Sequence, residues 1–401
     1  MEMPKAWQTF PIAMHHWGED TPSSCEENLI SALESKHFSR VCRISFVKFS
    51  SLPWGRFTAV MEKPCPELTD ISFSSSEDNE MPVLSQSFLG GSAASHLRTL
   101  YLNGVSPLAM QRLLLSAYNL VYLALDRIPD SRHHSPEDMA NCLSGLTRLE
   151  SLNLNFCPPR YLYLSQVSRP LLLSLAPSVL PALTELDFKG RIYYLEGLVA
   201  RIDAPLLLEL HITFFHHDAF DVPQLHRFIS HAKKLGTHTR ATVSYYDAAP
   251  RLRLSSQPRT VDSPVLTFWI SYNIWSYPYL PLSSLGQVFT SFLPLISTLE
   301  ELDIIGTGPT WIHLGERMRW PELLGLLTSL KTLRLGKDMA PQIIHALSEL
   351  TEERERVMLP ALECLFIEAF LSSEVVQDVV KQFFTARQLS DRYVAVRNWL
   401  R

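Results

Sequence analysis

Apolar residues recur along this chain as L-x-x-L-x-L, with polar or small residues between them. The clearest copies are Leu97-x-x-Leu100-x-Leu102, Leu149-x-x-Leu152-x-Leu154, Leu183-x-x-Leu186-x-Phe188, Leu207-x-x-Leu210-x-Ile212, Leu299-x-x-Leu302-x-Ile304, Leu330-x-x-Leu333-x-Leu335 and Leu362-x-x-Leu365-x-Ile367. The last two apolar positions of each copy alternate at the two-residue period of a strand. Both therefore face one side, and the residues beside them face the other. The leading leucine fills the same core from just before the strand. Between copies the pattern changes to helical spacing. Ser106-Pro107 reads as a cap with proline at the first helical position, followed by Leu108, Met110, Leu113 and Leu114. Asp221 is placed to cap a helix through Pro223, Leu225, Phe228 and Ile229. Ile343, Ile344, Leu347 and Leu350 form another apolar stripe, and Val375, Val376, Val379, Val380, Phe383 and Phe384 a last one.

The third position of each motif serves as a register mark. The marks fall at Phe46, Phe73, Leu102, Leu125, Leu154, Phe188, Ile212, Val243, Ile270, Ile304, Leu335 and Ile367, with a mean spacing of about 29 residues. That period, with a strand and a helix in each unit, predicts an α/β leucine-rich-repeat solenoid. The expected architecture is a horseshoe of about twelve irregular repeats, with parallel strands on the concave face and helices on the convex face. Residues 1–35 read as an N-terminal cap or lead-in, and residues 36–401 as the repeat domain, closed by a capping helix with Trp399 sealing the core. Regular repeats place Asn or Cys three residues after the mark. Cys157 and Asn273 occupy that place and Thr307 can substitute, but Val105, Ile128, Phe215 and Phe370 do not, so irregular turns are expected. Pro158–Pro181 and Thr307–Pro321 lengthen two repeats, Ser74–Pro82 reads as an exposed polar loop, and Thr237–Pro264 as an outlooping insertion.

Composition narrows the function classes. The chain has 401 residues, 46% hydrophobic and 19% charged, with 36 Lys and Arg against 41 Asp and Glu, for a net charge of −5. No basic excess points to nucleic acid. The clusters Arg354/Arg356 and Arg392/Arg397/Arg401 read as solvated helix faces. Six scattered cysteines without a C-x-x-C motif read as buried, reduced thiols of an intracellular protein. The opening Met-Glu-Met-Pro-Lys has no apolar core of a signal peptide. The most apolar stretch, Leu162–Leu183, is broken by Arg169 and three prolines, which excludes a clean membrane span. A soluble cytoplasmic or nuclear protein is expected.

Candidate chemistry is sparse. Gly306-x-Gly308 follows a strand, but Trp311 stands where a dinucleotide-binding turn needs a third glycine. The pairs His15/His16, His133/His134 and His216/His217 are adjacent, so their side chains diverge where metal ligands must converge; His211 near the last pair does not change this. Glu185/Asp187 and Glu301/Asp303 alternate along strands and read as partner contacts or a solvated face rather than an acid/base pair. No catalytic residue, metal or cofactor is assigned. The exposed strip of the strand face is expected to run Ser45, Ser72, Tyr101, Ala124, Asn153, Asp187, His211, Thr242, Trp269, Asp303, Arg334 and Phe366. Aromatic and arginine side chains are typical interface anchors. Tyr101, Asn153, Asp187, His211, Trp269, Asp303, Arg334 and Phe366 are therefore the candidate partner-binding residues.

The repeats Leu180-Pro181-Ala182-Leu183-Thr184-Glu185-Leu186 and Leu359-Pro360-Ala361-Leu362-Glu363-Cys364-Leu365 carry a further signal. So do the flanks Glu27–Leu33, Arg40–Ile44 and Phe384–Leu389. In these the chain resembles the F-box/leucine-rich-repeat proteins of mushroom-forming fungi. The resemblance implies a non-enzymatic scaffold that recognises substrate for a ubiquitin ligase. It also implies a Skp1-type adaptor, docked by an F-box of which no Leu-Pro-x-Glu start is visible here. Residues 1–24, with Trp7, Phe10, Pro11 and Trp17, read instead as a lead-in to the first repeat. The competing readings are an enzyme with its site in an interrupting loop (156–180 or 237–264) and a degenerate repeat protein without a partner.

Overall fold

The structure is a computed structural model. It describes residues 11–17, 23–35, 38–49, 54–75, 87–91, 94–104, 110–128, 135–158, 176–215, 222–235, 238–246, 249–256, 264–270, 290–292, 296–306, 320–344, 347, 359–368, 377–378, 380–381, 383, 385 and 394–399. The chain divides into two compact units, Met1–Leu207 and Leu208–Arg401.

In the first unit the strands are β1 (Ile12–Trp17), β2 (Val41–Phe49), β3 (Asp70–Ser75), β4 (Thr99–Asn103), β5 (Tyr122–Ile128), β6 (Ser151–Phe156), the short β7 (Ser178–Val179), β8 (Glu185–Gly190) and the short β9 (Ile202–Asp203). All neighbours pair in parallel in the order β1-β2-β3-β4-β5-β6-β8, and β7 pairs with β9 apart from them. The register follows the leucine pattern. Ile44, Ile71, Leu100, Leu123, Leu152 and Leu186 lie in one row; Phe46, Phe73, Leu102, Leu125, Leu154 and Phe188 lie in the next. Every one of these side chains is buried, as are the leading Leu68, Leu97, Leu149 and Leu183. Within residues 1–35, read from the sequence as a lead-in, Ile12–Trp17 form a strand paired with β2 and Ser23–Glu34 a helix.

The return segments hold α1 (Ser23–Glu34), α2 (Trp54–Met61), α3 (Met110–Ser116), α4 (Pro136–Leu143) and α5 (Ile192–Val199). Helix α4 starts on a capping box. The Ser135 hydroxyl accepts the Asp138 N–H, the Asp138 carboxylate accepts the Ser135 N–H, and proline follows at the first helical position. Aromatic residues fill the wider gaps between sheet and helices. Phe46, Phe57 and Phe73 meet edge-on or tilted at 5.1–5.9 Å, and Phe156 lies 4.5 Å from Tyr194. The cap proposed at Ser106 lies outside the described residues.

The second unit departs from the expected all-parallel stack. Its strands are β10 (Glu209–Phe214), β11 (Arg240–Tyr246), β12 (Ala249–Ser255), β13 (Val265–Ile270), β14 (Glu301–Gly306), β15 (Thr332–Leu335), β16 (Cys364–Glu368) and β17 (Ala395–Trp399). Their spatial order is β10-β13-β12-β11-β14-β15-β16-β17, and β12 runs antiparallel to both neighbours. Thr237–Pro264 is therefore not simply an outlooping insertion, because Arg240–Tyr246 and Ala249–Ser255 within it are strands of the sheet. Only two residues separate β11 from β12, whereas a parallel crossover needs a dozen or more, so a hairpin is the available connection. Three strands in a meander leave the first and third pointing the same way. β13 can thus pair in parallel with β10, and β11 with β14.

Two register expectations change with this topology. Phe268, not Ile270, is the mark of its repeat, since it pairs with Ile212 and Leu252. Asn273 lies outside the described residues. Trp399 pairs with Glu368 rather than Ile367, which puts it on the face opposite the core. Helices α6 (Pro223–His231) and α7 (Trp320–Gly325) belong to this unit, and residues 340–344 are also helical. The N-cap residue of α6 is Val222, which makes no side-chain cap bond; Asp221, the cap expected from the sequence, lies outside the described residues.

Burial of two apolar side chains per strand is the main stabilising term. Leu152→Ala, at a site with no solvent exposure, should cost about 3 kcal/mol in denaturant unfolding; a loss under about 1 kcal/mol would show that the row can collapse onto the gap. A second expectation concerns acid. His238 is 1% exposed, and burial lowers its pKa from 6.5 to about 4. Between those values the unfolded chain binds a proton that the native state does not. Its contribution to stability is therefore intact above pH 6.5 and declines as pH falls toward 4, by at most about 3 kcal/mol. Melting temperature measured from pH 7 to 4 should fall less steeply in His238→Leu than in the parent chain.

Candidate binding face

On each strand the residues alternating with the buried pair form the opposite face. In the first unit Tyr101, Ala124, Asn153 and Asp187 occupy one row across β4, β5, β6 and β8, as the sequence predicted. The Asn103 amide donates to the Tyr101 hydroxyl at 2.9 Å, and that hydroxyl donates to Asp126 at 3.4 Å. Ser151 donates to Glu185 at 2.9 Å. Burial raises the pKa of the Tyr122 phenol, and the nearby carboxylates of Glu185, Asp126 and Asp187 raise it further. This face is polar, with Asp126, Glu185 and Asp187 gathered around Tyr122.

In the second unit the corresponding row runs His211, Thr267, Arg253, Thr242, Asp303, Arg334, Phe366 and Arg397. Trp269 was expected in it but lies one row along, paired with Thr213 and Arg251, because its repeat mark is two residues earlier than the leucine spacing suggested. His211 lies 3.3 Å from Glu209 on the same strand.

Asp303 is also unlike its expectation as an exposed contact. It is 3% exposed, and two arginines share its carboxylate. Arg240 donates to Oδ2 through Nη2 and, at 3.1 Å, through Nε; Arg334 donates to Oδ1 at 3.1 Å and to Glu301 Oε2 at 2.6 Å. Burial opposes the charge of the Arg334 guanidinium, but hydrogen bonds to Glu301 and Asp303 outweigh it and raise its pKa. The Glu301/Asp303 pair is thus engaged by guanidinium groups of neighbouring strands, and not the solvated face or partner contact expected of it. Beside it, Arg334 and Arg397 lie over the Phe366 ring, at 5.3 and 6.0 Å from its centroid. Arg397, grouped from the sequence with helix-face charges, belongs to a strand. Trp269 is 39% exposed, with the Arg251 guanidinium 5.7 Å from its ring.

The pairing of Arg251 with Trp269 was missed because β12 itself was missed. Its signal was present as the alternation Arg251-Leu252-Arg253-Leu254, a two-residue period without the leading leucine of a repeat.

Other candidates resolve more simply. His15 is exposed and His16 is buried against Phe46, on opposite faces of β1. His133, His134, His216, His217 and Gly308 lie outside the described residues, among which no cluster of three or more His, Cys, Asp or Glu could hold a metal. Cys42, Cys65, Cys142, Cys157 and Cys364 are free thiols; burial raises Cys65 to about 12 and Cys142 to about 11. Among the described residues no helix is long and apolar enough to cross a membrane.

The strand register, the buried leucine rows and the helical return segments are those of a leucine-rich-repeat protein. No family model and no curated protein matches the chain. Among solved structures it is similar to the leucine-rich repeat-containing protein LegL7 from Legionella pneumophila. The two are 10% identical, with 89% of this chain and 85% of that one covered and a TM-score of 0.28. The fold assignment stands on the register rather than on that likeness.

The buried carboxylate gives a direct test. Asp303→Asn leaves two guanidinium groups against one remaining carboxylate and should cost about 2 kcal/mol in urea unfolding, reduced from a fully buried pair because both arginines are partly exposed. Glu301→Gln, at a more exposed carboxylate, should cost less than about 1 kcal/mol. The opposite ranking would remove Asp303 as the centre of the cluster.

Proposed function

We propose that this chain is a non-enzymatic interaction scaffold that holds a protein partner on the strand face of its second unit. The observation carrying this reading is the exposed indole of Trp269 beside Arg251, on a face that also presents Phe366 between two arginines. Aromatic and arginine side chains at the centre of a face, held by their neighbours, are the usual anchors of protein interfaces. A rigid sheet also presents them at little entropic cost. In the first unit Tyr101, Asn153 and Asp187 line a polar strand face that offers a further contact surface.

The resemblance to F-box/leucine-rich-repeat proteins supports a narrower form of this proposal. In it the repeats hold the substrate of a ubiquitin ligase in the cytoplasm or nucleus, and a Skp1-type adaptor is the partner where an F-box accompanies the repeats. Affinity capture from native cell extract tests both forms, using the chain as written and with any upstream coding sequence restored. Recovery of a Skp1/cullin complex by the extended form alone would support the narrower reading. For the broader one, Trp269→Ala with Phe366→Ala should lower recovery of a specific partner at least tenfold while the melting temperature stays within a few degrees. Leu115→Ala, at an exposed helix position, should leave recovery unchanged. Equal recovery by both variants would move the interface elsewhere.

A further inference from the structure

The antiparallel strand β12 sets two arginines on the exposed face at alternate positions, while Leu252 and Leu254 between and after them are buried. Register places Arg253 between Thr267 of β13 and Thr242 of β11, and Arg251 between Trp269 and Ser244. The centre of this patch is therefore small hydroxyl residues, and its walls are guanidinium groups and an indole. Two features leave it incomplete. Thr267 is 4% exposed, yet its hydroxyl has no hydrogen-bond partner, against the general rule for buried polar groups. Arg251 has no carboxylate partner among the described residues, and its Nε is buried without a hydrogen bond. Arg240, one strand away, is by contrast fully engaged by Asp303.

We propose that Arg251, Arg253, Thr267 and Trp269 form a recognition site for an acidic, extended peptide segment of a protein partner. This inference rests on the interaction reading above and names the chemistry of the partner. Alternate residues on a strand are separated by about 6.8 Å, so Arg251 and Arg253 stand at the spacing of side chains i and i+2 on an extended ligand. A carboxylate of the ligand can take the Arg251 guanidinium in paired hydrogen bonds, and Arg253 adds positive charge opposite the second acid. The Thr267 hydroxyl supplies a further donor, and the exposed Trp269 ring covers an apolar side chain next to the acids. A bare anion would use the arginines but leave the indole uncovered, and it is the indole that favours a peptide.

The test is fluorescence anisotropy of the full chain with a fluorescein-labelled extended peptide that carries glutamates at i and i+2 followed by leucine. A second peptide has both glutamates replaced by glutamine. The acidic peptide should bind at least tenfold tighter than its amide counterpart, and the difference should shrink as salt is raised. Arg251→Gln with Arg253→Gln should remove that preference, Arg251→Lys should retain part of it, and Trp269→Ala should weaken the acidic peptide several-fold. Equal binding of the two peptides, or unchanged preference in the double variant, overturns the inference. So does displacement of the peptide by millimolar inorganic phosphate with no effect of Trp269→Ala, which marks a simple anion site. Should the double variant fail to fold, as judged by its melting curve, the peptide pair and Trp269→Ala still decide. Equal binding of the two peptides by the parent chain, while Trp269→Ala with Phe366→Ala still abolishes partner capture, would reject this site and leave the interaction reading standing.

Discussion

Each strand in the first unit offers two inward positions, and on six consecutive strands both are apolar and fully covered. A slip of one residue in any pair would turn both side chains outward and bring two polar ones in. The register is therefore held by burial, and the rest of the structure is arranged around that constraint. The leading leucine closes the core below each strand. Backbone hydrogen bonds tie each repeat to the one before it, as from Arg98 N to Thr69 O and from Glu150 N to Val121 O. Helices then cover the apolar rows, and the opposite face is left for side chains that the core does not need.

The same constraint explains how the second unit tolerates a foreign topology. The β11–β12–β13 meander breaks the chain order of the repeats but not the two inward rows. Ala241, Leu254 and Leu266 continue the line from Leu302 to Leu210, and Val243, Leu252 and Phe268 continue the line from Ile304 to Ile212. An antiparallel strand meets the requirement as well as a parallel one, because inward alternation depends on the strand period and not on direction. With an odd number of strands in the insertion, both its edges also present the direction that a parallel neighbour needs.

Most of the fold was legible because the leucine spacing reports burial directly. The marks from Phe46 to Ile212 agree with observed pairing, and so do Val243, Ile304, Leu335 and Ile367. The misplaced mark at Ile270 has a physical cause. Val265, Leu266, Phe268 and Ile270 are all apolar, so the leucine pattern fits in two registers, and only pairing with β10 and β12 selects Phe268. The strip of candidate residues was legible wherever a repeat had a clear mark, as at Tyr101, Asn153, Asp187, Arg334 and Phe366. It failed at Trp269 for the reason just given. It missed Arg251 and Arg253 because a strand outside the repeat pattern carries them.

Asp303 shows a different limit. Alternation correctly put it on the face away from the core, but facing away from a core is not the same as facing water. Neighbouring strands lie about 4.8 Å apart, a distance that long arginine side chains easily span. Arg334 is its direct partner across β15, and Arg240 reaches it from β11, so the carboxylate is covered by charges whose positions only the pairing reveals. Composition has the same blindness. A net charge of −5 sums the whole chain and does not show how charge is distributed over the strand faces. Asp126, Glu185 and Asp187 gather on the first unit, and Arg240, Arg251, Arg253, Arg334 and Arg397 on the second. On the second face the arginines beside Asp303 are neutralised within the sheet. Arg251, on the antiparallel strand, has an indole and no carboxylate beside it among the described residues. The departure from the repeat topology is thus also what sets a guanidinium beside an exposed aromatic ring.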